Sequence, residues 1–270
     1  MFGFIDLRFS LIGLIIGFLI GLTGMGGGSL MTPIMILVMG VKPVIAVGTD
    51  LAYGAVTKII GGAAHYRHGT VDRRTAYLLA SGSVPATILG VGLTEEIKRT
   101  NPGLIDVFLM HTLAWALILV AVVLVAKPAL TTVAHRLGRG GAADWRGGLQ
   151  SLGERRPALL PVVGAVTGFM VGLTSVGSGT LVIVMLLFLY PRWESKDLVG
   201  TDVFHAAILV SAASLAHLAA GNVNIPMMLS LLIGSVPGVL LGSRLAIGFH
   251  EQFLRLSLAS VLLVSGAKLL

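Results

Sequence analysis

Gly21-Leu22-Thr23-Gly24-Met25-Gly26-Gly27-Gly28-Ser29-Leu30 returns as Gly172-Leu173-Thr174-Ser175-Val176-Gly177-Ser178-Gly179-Thr180-Leu181, 151 residues further along the chain. One residue later in register, Gly48-Thr49-Asp50 matches Gly200-Thr201-Asp202 and His65 matches His217. At the same offset, Gly82-Ser83-Val84-Pro85 matches Gly234-Ser235-Val236-Pro237. One single-residue insertion across so many aligned positions marks an internal duplication, which has to be recognised before any element is assigned.

The duplicated sequence is apolar in long blocks. Hydrophobic side chains make up 55% of the 270 residues and charged ones only 11%, against roughly 25% charged in soluble domains. Residues 9–41, 157–191 and 203–243 contain no Asp, Glu, Lys or Arg. Each block exceeds the roughly 20 residues that cross a bilayer as helix, so the chain reads as an all-α polytopic membrane protein. The net charge of +7 is then accounted for by basic cytoplasmic loops, and no nucleic-acid motif interrupts the apolar blocks. The chain has no cysteine, which excludes disulfides, thiolate catalysis and Cys-ligated metal. The N-terminal Met1–Ser10 could pass for a signal peptide; its neighbourhood recurs internally, so it reads as retained structure.

Each repeat divides into five apolar segments, near 9–23, 28–40, 44–65, 74–93 and 104–126, then near 158–173, 178–190, 198–219, 225–247 and 253–270. That gives a first repeat over 1–126, a basic, Gly-rich cytoplasmic linker over 127–157, and a second repeat over 158–270, with about eight to ten membrane segments. The first two segments of each repeat are short and separated by the glycine cluster. As one helix they would reach about 50 Å against a hydrocarbon core of about 30 Å. If the pair folds back to its starting side, 13 basic residues face the linker side and 5 face the other, with Lys58 inside the membrane. This asymmetry favours a hairpin and repeats of opposite orientation.

Inverted repeats with breaks at matching positions point to a transport site. Gly26, Gly27 and Gly28, and in the second repeat Gly177, Ser178 and Gly179, release backbone from helix where lipid offers no partner. The half-helices beginning at Ser29 and Thr180 then present positive dipole ends and free N–H donors to an anion, with two hydroxyls to cap the helix or donate. Helix packing alone would explain one such cluster; two in register favour a substrate site. Asp50 and Asp202, each a few residues into an apolar segment, are carboxyls of the kind that carries function in membranes. They can take up protons, bind a cation or, since Gly-Thr-Asp resembles a helix start with Thr49 and Thr201, cap backbone.

Lys58 is the only basic residue well inside a segment, and its repeat counterpart is Val210. It can pair with an Asp, help hold an anion, or snorkel to an interface. Eight residues beyond Asp50, it is too far along the helix for a direct pair. His65, His111, His205 and His217 suit a proton relay or simple packing, and Pro85 and Pro237 are expected to kink their helices. A serine–histidine dyad from Ser178 with His205 or His217 is disfavoured because Gly27 stands at the matching position, and no His-Glu-x-x-His metal motif exists. No cofactor or metal is expected.

The Gly-rich opening, the Gly-Thr-Asp, the His65–Asp72 loop and the duplicated Gly-Ser-Val-Pro together resemble the TauE/SafE sulfite exporter family over nearly all of the chain outside the linker. The resemblance implies export of sulfite, sulfonates or related sulfur anions. The second repeat departs from the opening pattern at Ser175, Val176 and Ser178. The expected function is therefore a secondary transporter exporting a small anion across the cytoplasmic (inner) membrane by alternating access, with protons as a coupling ion if coupling exists. Its expected partners are that anion and the bilayer; nucleic acid is excluded and a homodimer is left open. The alternative is a proton- or sodium-coupled carrier of a cationic or zwitterionic metabolite.

Overall fold

The computed structural model describes residues 6–23, 28–139, 157–190, 193–246 and 251–270. The first repeat forms α1 (Leu7–Thr23), α2 (Gly28–Leu37), α3 (Pro43–Arg67), α4 (Arg73–Thr100) and α5 (Ile105–Arg139). The second forms α6 (Leu159–Thr174), α7 (Thr180–Leu189), α8 (Ser195–Ala219), α9 (Ile225–Ala246) and α10 (Glu251–Leu269). No strand occurs among the described residues. Five helices, α3, α4, α5, α8 and α9, contain stretches long and apolar enough to cross a bilayer. Large side chains such as Ile60, Leu89, Trp115 and Leu215 point outward, as lipid-facing helices require.

The repeats exchange helices. The most extensive packing joins α1 to α9 and α4 to α6, so each repeat lays its first helix on the fourth helix of the other, while α3 pairs with α8 and α5 with α10. Small residues spaced four apart make the exchange. Gly13, Gly17 and Gly21 of α1 lie against the backbone of Leu231, Ser235 and Val239, and Gly234, Gly238 and Gly242 answer against Ser10, Leu14 and Phe18. Gly164, Gly168 and Gly172 of α6 repeat the contact against Leu79, Ser83 and Thr87 of α4. Without a hydrophobic drive between helices in lipid, such backbone approach is what holds them together.

These contacts also fix direction. Residue numbers rise together along α1 and α9, but fall against each other along α3 and α8, where Gly54 meets Val210 and Gly61 meets Val203. Equivalent helices that run antiparallel define inverted repeats. Gly48 against Asn222 and Thr49 against Asn224 make α3 parallel to α9, hence to α1. Since α1 and α3 run the same way, α2 must come back between them, and the broken pair is a hairpin. Arg8, Lys42, Lys98, Arg99 and Lys268 then share one end of the bundle, and the α3–α4 loop and the C-terminal end of α5 share the other.

The expected boundary at 126 is not where helix ends: the apolar span is Ile105–Ala126, but α5 continues through Lys127 and Pro128 to Arg139. At 1.5 Å per residue it is about 52 Å long, so its last turns stand outside a core of about 30 Å. Nor is Gly-Thr-Asp a helix start. α3 begins at Pro43 and α8 at Ser195, which leaves Asp50 and Asp202 well inside their helices. Each Thr acts instead on the opposite repeat. Thr49 Oγ1 accepts from the backbone N–H of Asn224 at 3.0 Å, and Thr201 Oγ1 from that of Asp72 at 2.9 Å. Asn224 and Asp72 in turn cap α9 and α4. Pro85 and Pro237 sit inside continuous helices.

Candidate functional site

The antiparallel crossing of α3 and α8 brings Asp50, Lys58, Asp202 and His205 into the middle of the bundle, beside the break that separates α6 from α7. Asp50 and Asp202 are buried. Ser175 ends α6 in the left-handed region at φ +62°, and Gly177 follows at φ +104°, a conformation that L side chains rarely adopt. The break itself is buried, Ser178 included. Gly179 is the N-cap of α7 and offers no side chain, so Thr180, the first residue of the helix, does not cap it as the sequence suggested. The first turn of α7 therefore directs N–H groups without intrahelical acceptors into the protein interior.

Two side chains of the first repeat converge on this second-repeat break. Asp50 Oδ2 accepts a hydrogen bond from Ser175 Oγ at 2.9 Å and another from Thr32 Oγ1 of α2 at 2.5 Å. Lys58 Nζ, half-buried, donates to the carbonyl of Ser178 at 3.2 Å. Lys58 forms no ion pair within 4 Å among the described residues, so its charge is held by backbone and by the field of the two carboxyls. Oδ1 of Asp50, Oδ1 of Asp202 and Nδ1 of His205 are buried polar atoms without a hydrogen-bond partner. Such atoms are costly unless something polar meets them during function.

Of the residues singled out from sequence, Ser178, Lys58, Asp50 and Asp202 meet here, with Gly177, Gly179 and Thr180 alongside. Gly28 and Ser29 open α2, while Gly26 and Gly27 lie outside the described residues. Thr49 and Thr201 tie the repeats together rather than face the break. The histidines separate by role. His205 Nε2 pairs with Ser83 at 2.9 Å, and His217 Nε2 donates to the Gly172 carbonyl at 3.0 Å. Neither therefore activates Ser178. His65 pairs with Thr70 in the α3–α4 loop, and His111 bonds back to Val107 on an exposed face of α5. Thr32, Ser175 and Ser83 were not anticipated. Ser175 left a trace in the sequence as a departure from Gly24, and Ser83 as part of the duplicated Gly-Ser-Val-Pro; Thr32 left none.

Lateral grooves of about 750 Å³ on α5 and about 490 Å³ between α3 and α8 are lined by Trp115 and by Tyr66 with Tyr77, respectively. Neither groove is lined by residues of the break. At the end opposite the linker, Asn222 receives Lys98 at 2.7 Å and donates to Glu95 at 2.6 Å. This polar knot joins the α8–α9 loop to the end of α4.

The family described as "Sulfite exporter TauE/SafE" matches residues 9–269. The chain is 39% identical over 260 residues to the probable membrane transporter protein YjnA of Bacillus subtilis (strain 168), covering 96% of this chain and 98% of that one. It is 26% identical to YunE of the same organism, covering 96% and 95%. A probable membrane transporter protein of Xylella fastidiosa (strain 9a5c) is 24% identical, covering 88% and 84%. No solved structure matches. The chain belongs to the TauE/SafE family; it is a multi-pass membrane transporter and not an enzyme.

Proposed function

We propose that this TauE/SafE transporter carries a small oxyanion, of the sulfite or sulfonate class, out across the cytoplasmic membrane by alternating access. The observation that supports this most is Lys58 reaching across the repeats to the Ser178 carbonyl. It sets an ammonium beside the start of α7, whose dipole and first-turn N–H groups also favour negative charge. An anion entering the break would exchange the Lys58–carbonyl contact for a charge-assisted one. The outward sense follows the family's description; the positive-inside rule places the linker end in the cytoplasm. An inside-negative potential favours exit of an unaccompanied anion by about 2.3 kcal/mol per charge per 100 mV. The inverted repeats, joined at Thr49 and Thr201, supply the two-fold relation that alternating access would use.

Two carboxyls against one ammonium favour a second reading, in which a cationic or zwitterionic metabolite is carried. Asp50 counts against it as a ligand, because one oxygen is already engaged by two hydroxyls. Ligand-dependent thermal stabilisation in detergent separates the two. Among sulfite, sulfate, thiosulfate, sulfonates and carboxylates, at least one should stabilise the protein, and Lys58→Met, Ser178→Leu and Gly27→Leu should each lose that shift while remaining folded. Stabilisation by amines and amino acids alone would establish the alternative, and undiminished shifts in the three variants would move the site elsewhere.

A further inference from the structure

The duplication supplies an internal control, because equivalent side chains sit in unequal company. Asp50 is held by Thr32 and Ser175. The position matching Thr32 in the second repeat is Ile183, and the one matching Ser175 in the first is Gly24, so Asp202 is denied both hydroxyls. Its Oδ1 is buried without a partner. Three residues on, and so on the same helix face, His205 is fully buried with Nε2 on Ser83 and Nδ1 unpartnered. The first repeat has Tyr53 at that position, and Val210 stands in the second where the first has Lys58. One copy of an ancestral site has been tied down, and the other has been left open and given a histidine.

We propose that Asp202, with His205 as its relay and Lys58 as its counter-charge, is where a proton enters and leaves the transport cycle, whereas Asp50 is a fixed clasp between the two repeats. The proton comes from water at the face to which the site is open, converts the Asp202 carboxylate to the acid, and returns to water at the other face. The surroundings leave few competitors. α3 presents Lys58 and Asp50; the α3–α4 loop, which meets Gly200 and Thr201, carries Asp72, whose Oδ1 accepts from the Thr75 N–H; α4 carries no charged residue between Arg74 and Glu95 and meets His205 with Ser83; α6 and α7 contain no acidic, basic or histidine residue. With Asp50, Asp202 and Lys58 all ionised the cluster carries one net negative charge. A monovalent anion makes that two, and a proton on Asp202 restores one. Anion and proton therefore occupy the site together, and the neutral pair leaves down the anion's own gradient rather than on the membrane potential. This coupling rests on the anion reading above; the proton site itself does not.

The infrared pH-difference spectrum of the full-length protein in lipid nanodiscs, without substrate, reads the carboxyl directly. Acidification should produce a carboxylic C=O band that survives Asp50→Asn, disappears in Asp202→Asn and changes its midpoint in His205→Gln. If Asp202→Asn does not fold, Asp202→Glu must instead shift the band's frequency. A band lost in Asp50→Asn and kept in Asp202→Asn, or no band in the parent protein, overturns the assignment. Thermal shifts with methanesulfonate and thiosulfate, which do not titrate over the same range, then test coupling. Affinity should strengthen by up to about tenfold per pH unit on acidification and become flat in Asp202→Asn. A correct infrared assignment with flat anion affinity in the parent would overturn the coupling while leaving the proton site standing. Failure of every anion to bind would remove the anion reading alone.

Discussion

Gly82 and Gly92 lie on the same helix and should respond oppositely to one methyl group. A Cβ at Gly82 would come within 2.6 Å of the Pro161 carbonyl carbon and 2.8 Å of its Cα, both backbone atoms of α6. Carbon atoms rest at about 3.5–4.0 Å, so α4 and α6 must part by about 1 Å. Overpacking usually costs about 1–3 kcal/mol. Here the obstacle is backbone, and separation also loosens the neighbouring contacts at Gly164 and Gly168, so about 3 kcal/mol is expected for Gly82→Ala. At Gly90 the nearest atom is the Phe169 carbonyl oxygen at 2.9 Å, and a cost of about 1 kcal/mol is expected there. Gly92 has nothing within 4 Å, and alanine should gain up to about 1 kcal/mol of helix propensity. The extremes differ by about 4 kcal/mol, close to a thousandfold in the unfolding constant. Reversible unfolding in mixed micelles, followed by circular dichroism, measures the order. Gly82→Ala within about 0.5 kcal/mol of Gly92→Ala would refute the backbone-to-backbone account of the exchanged helices.

Thr49→Val and Thr201→Val should each cost about 1–3 kcal/mol, because each leaves the N–H of Asn224 or Asp72 unanswered; the same unfolding assay checks this, and an effect on one side only would break the symmetry argument. In a chain without cysteine, Gly140→Cys should resist an impermeant thiol reagent in intact cells while Ile225→Cys, exposed at the start of α9, is labelled. The reverse pattern would invert the orientation.

Much of this architecture was legible because membrane sequence is written in large letters. Apolar segments located the ten helices of the described residues, and the second Gly-rich cluster located the break between α6 and α7. The sequence misled where a motif's meaning depends on what crosses it. Gly-Thr-Asp has the residues of a helix start, but its Gly admits the other repeat's loop, at Asn222 for Gly48 and Thr70 for Gly200, and its Thr caps that loop. No reading of one segment could show a partner more than a hundred residues away. Ser175 is the instructive case. Its left-handed φ is one that a glycine would adopt at roughly 1–2 kcal/mol lower cost, so a serine there looks like erosion of the pattern. The structure shows the hydroxyl bonded to Asp50, which offsets the strain. The glycine stripes of α1, α6 and α9 were available as a four-residue spacing, but they name no partner until the helices are seen to cross over.

The exchange of first and fourth helices sets a schedule for synthesis. Gly13 rests on Leu231, so α1 emerges from the ribosome more than two hundred residues before the surface it needs. At about 5–20 residues per second that is a wait of roughly 10 to 40 s. Throughout it the bare glycine face of α1 must stay solitary in lipid or be shielded by the insertion machinery. α4 waits only until α6 arrives. A chain that stops after Arg139 leaves both helices without mates, and the membrane proteases that survey unassembled spans would meet two backbone-exposing stripes on one fragment. Stopping late, after α9, hides both. Damage to the message should therefore be punished most when it falls early, although either half contains the same five-helix pattern.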